Sequence, residues 1–268
     1  SSLVGSEMCI RDSRKGKYNG GILEYLVRYA TGTTKELRDI WKAARSFEID
    51  CYSLSEKILL QMLFSGAFVG ERMDIFRYYV SQGARQEIEE AVLVQSSYDY
   101  FCREKITEEY VFREIRNCYL RGEETQRICK LAYLKFYAEN KDKLEREDET
   151  LVRNFLEEMM KDHIHLNFFR EYQDCLPQLQ EMKDKTIVEY HTRGGVRARI
   201  HYVMMHESGQ AEDYLSEYMQ EVYSGVFFKE FVLFFGENLQ YYIMEESENE
   251  EQLTESGSLQ KSDIMNES

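Results

Sequence analysis

VRARIHYVM, residues 196–204, is the stretch on which the reading of the fold turns. Val196, Ala198, Ile200 and Tyr202 fall on one side of an extended backbone and Arg197, Arg199, His201 and Val203 on the other, the period-two pattern of a half-buried strand. Upstream the rhythm is different. From Tyr18 to about Lys185 the apolar residues recur at helical spacing, and the one proline of the chain, Pro177, stands where that spacing ends. The sequence therefore predicts an α+β multidomain chain, with an α-helical domain over 14–184, a β domain over 185–264 and a tail over 265–268.

Working outward from VRARIHYVM, residues 186–192, 213–222, 226–235, 238–245 and 253–261 complete about six strands, divided by GG, ESGQ, SG and GEN. Strands of this length with tight turns suit an antiparallel β-sandwich of immunoglobulin-like type. The Cys…Trp…Cys hallmark is absent, since Trp41 lies in the other half.

In the helical half, glycines and capping residues cut the pattern into helices near 20–31, 34–48, 53–66, 71–82, 86–103, 108–121, 125–139, 148–162 and 165–175. Thr33 with Glu36, and Ser53 with Glu56, have the S/T-x-x-E form in which hydroxyl and carboxylate satisfy each other's backbone amides. Gly32, Gly83 and Gly122 suit the left-handed residue that closes a helix. Paired as hairpins, the helices start near 20, 53, 86, 125 and 165, steps of the length found in two-helix solenoid repeats. Leu151, Val152, Phe155, Leu156, Met159 and Met160 form a broad apolar stripe that one hairpin alone would leave wet. The match to the tetratricopeptide signature is poor, so the expectation is a degenerate tetratricopeptide-like solenoid.

Composition bounds the function. With 20 tyrosines and 15 phenylalanines the chain has the aromatic area to fold. Its formal charge is −15, and residues 245–268 hold eight acids against Lys261. Phosphate backbones are bound by clustered lysine and arginine, so nucleic acid is not an expected partner. No apolar run approaches the roughly 20 residues that span a bilayer, so no membrane partner is expected either. Cys51, Cys102, Cys118, Cys129 and Cys175 are widely spaced singletons that fit neither a disulfide framework nor a CxxC zinc pattern. They point to a reducing cytoplasm.

LVGSEMCIRDS (3–13) has no amphipathic period and resembles the translated end of a transposase-type sequencing adapter. Residues 1–13, which include Cys9, are accordingly set aside, with the expectation that the chain is a fragment of a larger protein.

The chemistry sought is mostly not found. His163 and His165 in HIH present two imidazoles from a bend, but a metal needs three or four convergent ligands, so no metal is expected. His206 and Glu207 begin an HExxH motif that Gln210 breaks. Phosphate loops, GxGxxG and GxSxG elbows are absent. Glu89 with Glu90, and Glu157 with Glu158, point about 100° apart on a helix and are expected on a solvated face. No cofactor and no catalytic residue is expected.

GVFFKEFVLFFGENLQYYIM (225–244) is a hairpin with aromatic residues on both faces. One reading gives one face to the sandwich core and the other to the last helices. The other turns Phe228, Phe234 and Tyr242 outward as a platform for a partner protein or a sugar. The acidic run EESENEEQ (245–252) is expected to be a solvated loop.

TTKELRDIWKAARSFEID (33–50), ILLQMLFSGAFVGERMDIFRYYV (58–80), GVFFKEFVLFFGENLQYYI (225–243) and EEQLTESGSLQKSD (250–263) resemble a domain-of-unknown-function family of long proteins from anaerobic Gram-positive bacteria. The resemblance covers about 17–264. It implies helical hairpins mixed with β-sandwich segments and more chain on both sides, and it assigns no functional residues. The closing MNES departs from the family's continuation after KSD, which implies a clipped end. The functional expectation is a non-catalytic helical-repeat scaffold that binds another protein. The alternative is a carbohydrate-binding accessory module that uses aromatic residues of the β-sandwich.

Overall fold

The computed structural model describes residues 21–205, 213–247 and 251–260, and over them the chain is α+β, with helices first and antiparallel sheets after. The adapter-like segment 1–13, the His206–Glu207 pair and the tail 265–268 lie outside the described residues. Among the described residues, no helix is long and apolar enough to cross a membrane.

Eight α-helices are described: α1 (Gly21–Tyr29), α2 (Thr34–Ser46), α3 (Tyr52–Ser65), α4 (Met73–Ser81), α5 (Gln86–Arg103), α6 (Glu109–Leu120), α7 (Arg127–Glu139) and α8 (Arg146–Lys161). The expected capping box at Thr33 forms, with Glu36 N donating to Thr33 Oγ1 and Thr33 N to Glu36 Oε2. The one expected at Ser53 does not. α3 begins a residue earlier, Asp50 Oδ1 accepts from Tyr52 N at 2.9 Å, and Glu56 is drawn away to the Tyr79 hydroxyl at 2.8 Å. Gly83 and Gly122 have φ of 83° and 79°, the left-handed conformation that closes α4 and α6.

Compactness divides the described residues into two units, one of 21–99 together with 105–114, the other of 100–104 together with the described residues from Ile115 onward. In the first unit α1 packs on α2, α2 on α3 and α3 on α4. Its core includes Leu37, Trp41, Ala44, Ile58, Leu59 and Phe76. Trp41 Nε1 donates to Ser55 Oγ at 2.8 Å, and Ser55 Oγ donates in turn to Cys51 O at 2.8 Å, so the buried indole and hydroxyl are both satisfied.

In the second unit the α8 stripe is as expected, with Leu151, Val152, Phe155, Leu156 and Met159 buried and Met160 partly so. The helix expected over 165–175 is instead a 3₁₀ turn, Asn167–Tyr172, followed by a second at Pro177–Asp184. Polar ties to the first strand take over there from helical bonding: Asn167 Nδ2 donates to Ile187 O at 3.2 Å and Arg170 Nη2 to Lys185 O at 2.6 Å. Pro177, lacking an N–H, prevents a helix from resuming through it.

The strands are β1 (Lys185–His191), β2 (Arg197–Met205), β3 (Leu215–Tyr218), β4 (Gln220–Tyr223), β5 (Val226–Val232), β6 (Asn238–Glu246) and β7 (Glu251–Gln260). They form two antiparallel sheets, ordered β1-β5-β4 and β3-β2-β6-β7. Val188 and Tyr190 of β1, Ala198, Ile200 and Tyr202 of β2, Phe227 and Phe231 of β5, and Leu239 and Ile243 of β6 belong to a single apolar cluster. The inward face read from VRARIHYVM is thus the observed one, although Val203 on the other face is buried too.

The strand expected over 213–222 is two strands in two sheets. Met219 is buried and donates its N–H to Ala198 O at 2.9 Å. Before it β3 pairs with β2, and after it β4 pairs with β5. Burial does not alternate here: Leu215 to Tyr218 are all exposed, and Met219 and Val222 are buried three residues apart.

Candidate functional site

The segment 225–244 is not the expected hairpin, because β5 and β6 pair in different sheets, and its aromatic residues fall in three different settings. Phe228 is only 3% exposed. Of the two readings, the one that turns it outward does not fit: it lies opposite Glu189 on β1, whose carboxylate accepts from Asn167 N of the first 3₁₀ turn. The turn covers that face of the sheet, so Phe228 is packing material. Tyr242 is partly exposed and lies in register with His201, the two rings stacked at 4.5 Å and 4°. The exposed Tyr214 stands 6.1 Å from Tyr242 and extends this small aromatic row.

Phe234 is the outward one, at 69% exposure, and its neighbour Phe235, which the sequence reading did not single out, is 63% exposed. Both sit in the turn from β5 to β6. The turn is braced: Phe234 N donates to Glu237 Oε2 at 2.8 Å and Glu237 N returns a bond to Phe234 O at 3.1 Å. Gly236, at φ 79°, supplies the left-handed residue. Two large rings are therefore held in water on a hydrogen-bonded tip, at a cost in hydration that folding does not require.

The end of the β3-β2-β6-β7 sheet near Arg197 is polar. Arg199 Nε meets Glu246 Oε1 at 2.5 Å, Tyr218 donates its hydroxyl to Glu246 Oε2 at 2.8 Å, and the Arg199 and Arg197 guanidinium groups lie 4.4 and 4.8 Å from the Tyr218 ring centre. The Tyr218 and Arg199 contacts hold the Glu246 carboxyl below the usual range.

Beside the Met219 crossover lies a cleft of about 380 Å³, lined by His163, His165, Lys185, Tyr218, Gln220, Phe228, Lys229 and Glu230. His163 follows the end of α8 at a φ of 54°, and this bend brings both imidazoles of HIH to the same cavity. Glu230 contacts His165 Nδ1 and accepts from Lys185 Nζ at 2.8 Å. Lys229 Nζ is held at 2.5 Å by Glu217, which also accepts from the Tyr202 hydroxyl at 2.5 Å. Burial, then Lys185, then His163 push the His165 imidazole down to about 4. Among the described residues, no third imidazole, thiol or carboxylate joins His163 and His165 in a set close enough to hold a metal. The lysines of this cleft carried no signal in the sequence, because a lysine in a strand ordinarily marks a solvated face.

Of the paired acids, Glu157 is exposed and Glu158 accepts from Lys130 Nζ at 2.6 Å. Glu89 departs from the expected solvated face. It is buried, and with Glu114 it raises the Tyr110 phenol above its usual range, after the larger effect of burial.

A family model described as "Family of unknown function (DUF5717), C-terminal" matches residues 6–268. No curated protein and no solved structure gives a match.

Proposed function

The chain belongs to this family of unknown function, and from that premise we propose that it is a non-catalytic interaction module that binds another protein. The observation that carries the reading is the braced tip with Phe234 and Phe235 in water. Large aromatic side chains on a rigid support are the usual anchors of protein interfaces, because little conformational entropy is lost when they are buried.

The helical half fits a supporting role. Sequential packing of α1 through α4 favours a degenerate, tetratricopeptide-like solenoid of hairpins. The strand orders favour an immunoglobulin-like sandwich: β1-β5-β4 corresponds to strands B, E and D of that topology, and β3-β2-β6-β7 to C′, C, F and G, with no counterpart of strand A among the described residues. Cys51, Cys102, Cys118, Cys129 and Cys175 are thiols, which favours a reducing, cytoplasmic setting.

The test is affinity capture from the source cell with the intact chain and with a Phe234→Ser/Phe235→Ser variant. A specific protein retained by the first and lost by the second supports the reading. Equal capture by both removes the tip from it.

A carbohydrate-binding module is the second reading, and the row of His201, Tyr242 and Tyr214 favours it, since sugar rings stack on exposed aromatic faces. Retention on a glycan array that disappears with Tyr242→Ala supports it, and no retention by the intact chain ends it.

A further inference from the structure

We propose that the cleft beside the Met219 crossover binds a small oxyanion, the phosphate or carboxylate group of a metabolite-sized ligand. Its volume of about 380 Å³ lies in the range of small-molecule sites and exceeds what a lone phosphate needs, so the ligand carries further atoms.

The cleft is complementary to an anion in its hydrogen-bonding groups. The wall of the cleft is dominated by hydrogen-bond donors: two ammonium groups, Lys185 and Lys229, two imidazoles, His163 and His165, and the Gln220 amide. Glu230 is the one carboxylate on the lining, and it is occupied by Lys185 and His165. Glu217 is not on the lining. It holds Lys229 from the side and is itself shared with Tyr202, so its charge fixes the ammonium group in place. Each ammonium has three donors and shows one carboxylate contact, which leaves donors for a ligand oxygen. This donor-rich lining occurs in a chain of net charge −15. The buried Phe228 ring gives the cleft an apolar wall for the remainder of the ligand.

Burial first, then Lys185 and His163, resist a proton on His165, and the Lys185 ammonium would favour an incoming negative charge. The proposal is independent of the Phe234 and Phe235 tip.

The experiment is a titration of the intact chain followed by the imidazole resonances of His163 and His165. Inorganic phosphate is one arm, succinate the second, and glucose and sodium chloride at matched ionic strength are controls. The expected result is saturable shifts with phosphate or succinate at a Kd of about 1 mM or tighter. Saturation by phosphate alone assigns a phosphate group, and by succinate alone a carboxylate. Affinity is expected to fall at least tenfold in Lys185→Gln and in His163→Ala, each checked for an unchanged circular dichroism spectrum. Should Lys185→Gln unfold, the exposed His163 decides alone. Absence of saturable shifts in both arms, or shifts that sodium chloride reproduces, or unchanged affinity in His163→Ala, overturns the proposal.

Discussion

Tyr133 donates its hydroxyl to Asp148 Oδ1 at 2.5 Å, and the same carboxylate oxygen takes a bond from Arg116 Nη1 at 3.0 Å. Asp148 is 1% exposed, yet it is also the third residue of α8, where its other oxygen accepts from Glu145 N at 3.1 Å. One side chain thus caps a helix and ties it to α6 and α7. Asp148→Ala takes the shared acceptor from a buried phenol and from a half-buried guanidinium that keeps Glu145, and is expected to cost about 1–3 kcal/mol of stability. Asp148→Asn keeps one acceptor oxygen and should cost less. Denaturant midpoints of the two variants check the order.

Phe228 and Phe234 should separate stability from binding. Phe228→Ala opens a cavity behind the β1-β5-β4 sheet and is expected to destabilise by about 3–5 kcal/mol. Phe234→Ser alters a side chain that is mostly in water, so its effect on stability should stay within about 0.5 kcal/mol. Thermal melts of the two chains test this directly. Equal losses would mean that the tip packs against the protein itself.

Acid sensitivity should trace in part to His165. Above pH 6.5 its imidazole is neutral in both folded and unfolded chains. Between 6.5 and about 4 the unfolded chain takes up a proton that the folded chain, with its burial, Lys185 and His163, refuses. Stability therefore falls as pH drops through that window and His165 adds no further slope below it. His165→Gln is expected to flatten this part of the pH profile of the melting temperature, and an unchanged slope would count against the assignment.

Gly225 should resist substitution. At φ 84° it sits in the turn from β4 to β5, and an added Cβ would lie 2.3 Å from Thr192 O and 2.9 Å from Arg193 C. Both atoms are backbone and cannot swing aside. Gly225→Ala is expected to cost at least about 1–3 kcal/mol, from the dihedral strain alone. Its denaturant midpoint against wild type gives the number.

Local features of this chain were legible because they depend on neighbours in sequence. The capping box at Thr33, the α8 stripe and the alternation of Ala198, Ile200 and Tyr202 are set within a few residues. Where the reading failed, a distant partner intervened. Glu56 abandoned its cap for Tyr79, residues 167–172 tightened into a 3₁₀ turn under ties to β1, and Phe228 was covered by that same turn. The cleft was half visible. HIH drew attention to His163 and His165, but Lys185, Lys229 and Gln220 come from three strands whose proximity only the fold creates. Phe235 could have been found beside Phe234, since two adjacent rings before GEN cannot both point inward on one strand.

The single residue between β3 and β4 has a mechanical meaning. With Met219 alone spanning the two sheets, the slack on that side is one residue, roughly 3.5 Å of reach. A force that slides one sheet over the other is taken up there at once. It must peel β3 from β2 or β4 from β5, and these four-residue strands are the shortest in their sheets. Failure under load is thus routed to the flank where the cleft lies, while the nine-residue pairings of β2 with β6 and of β6 with β7 outlast it.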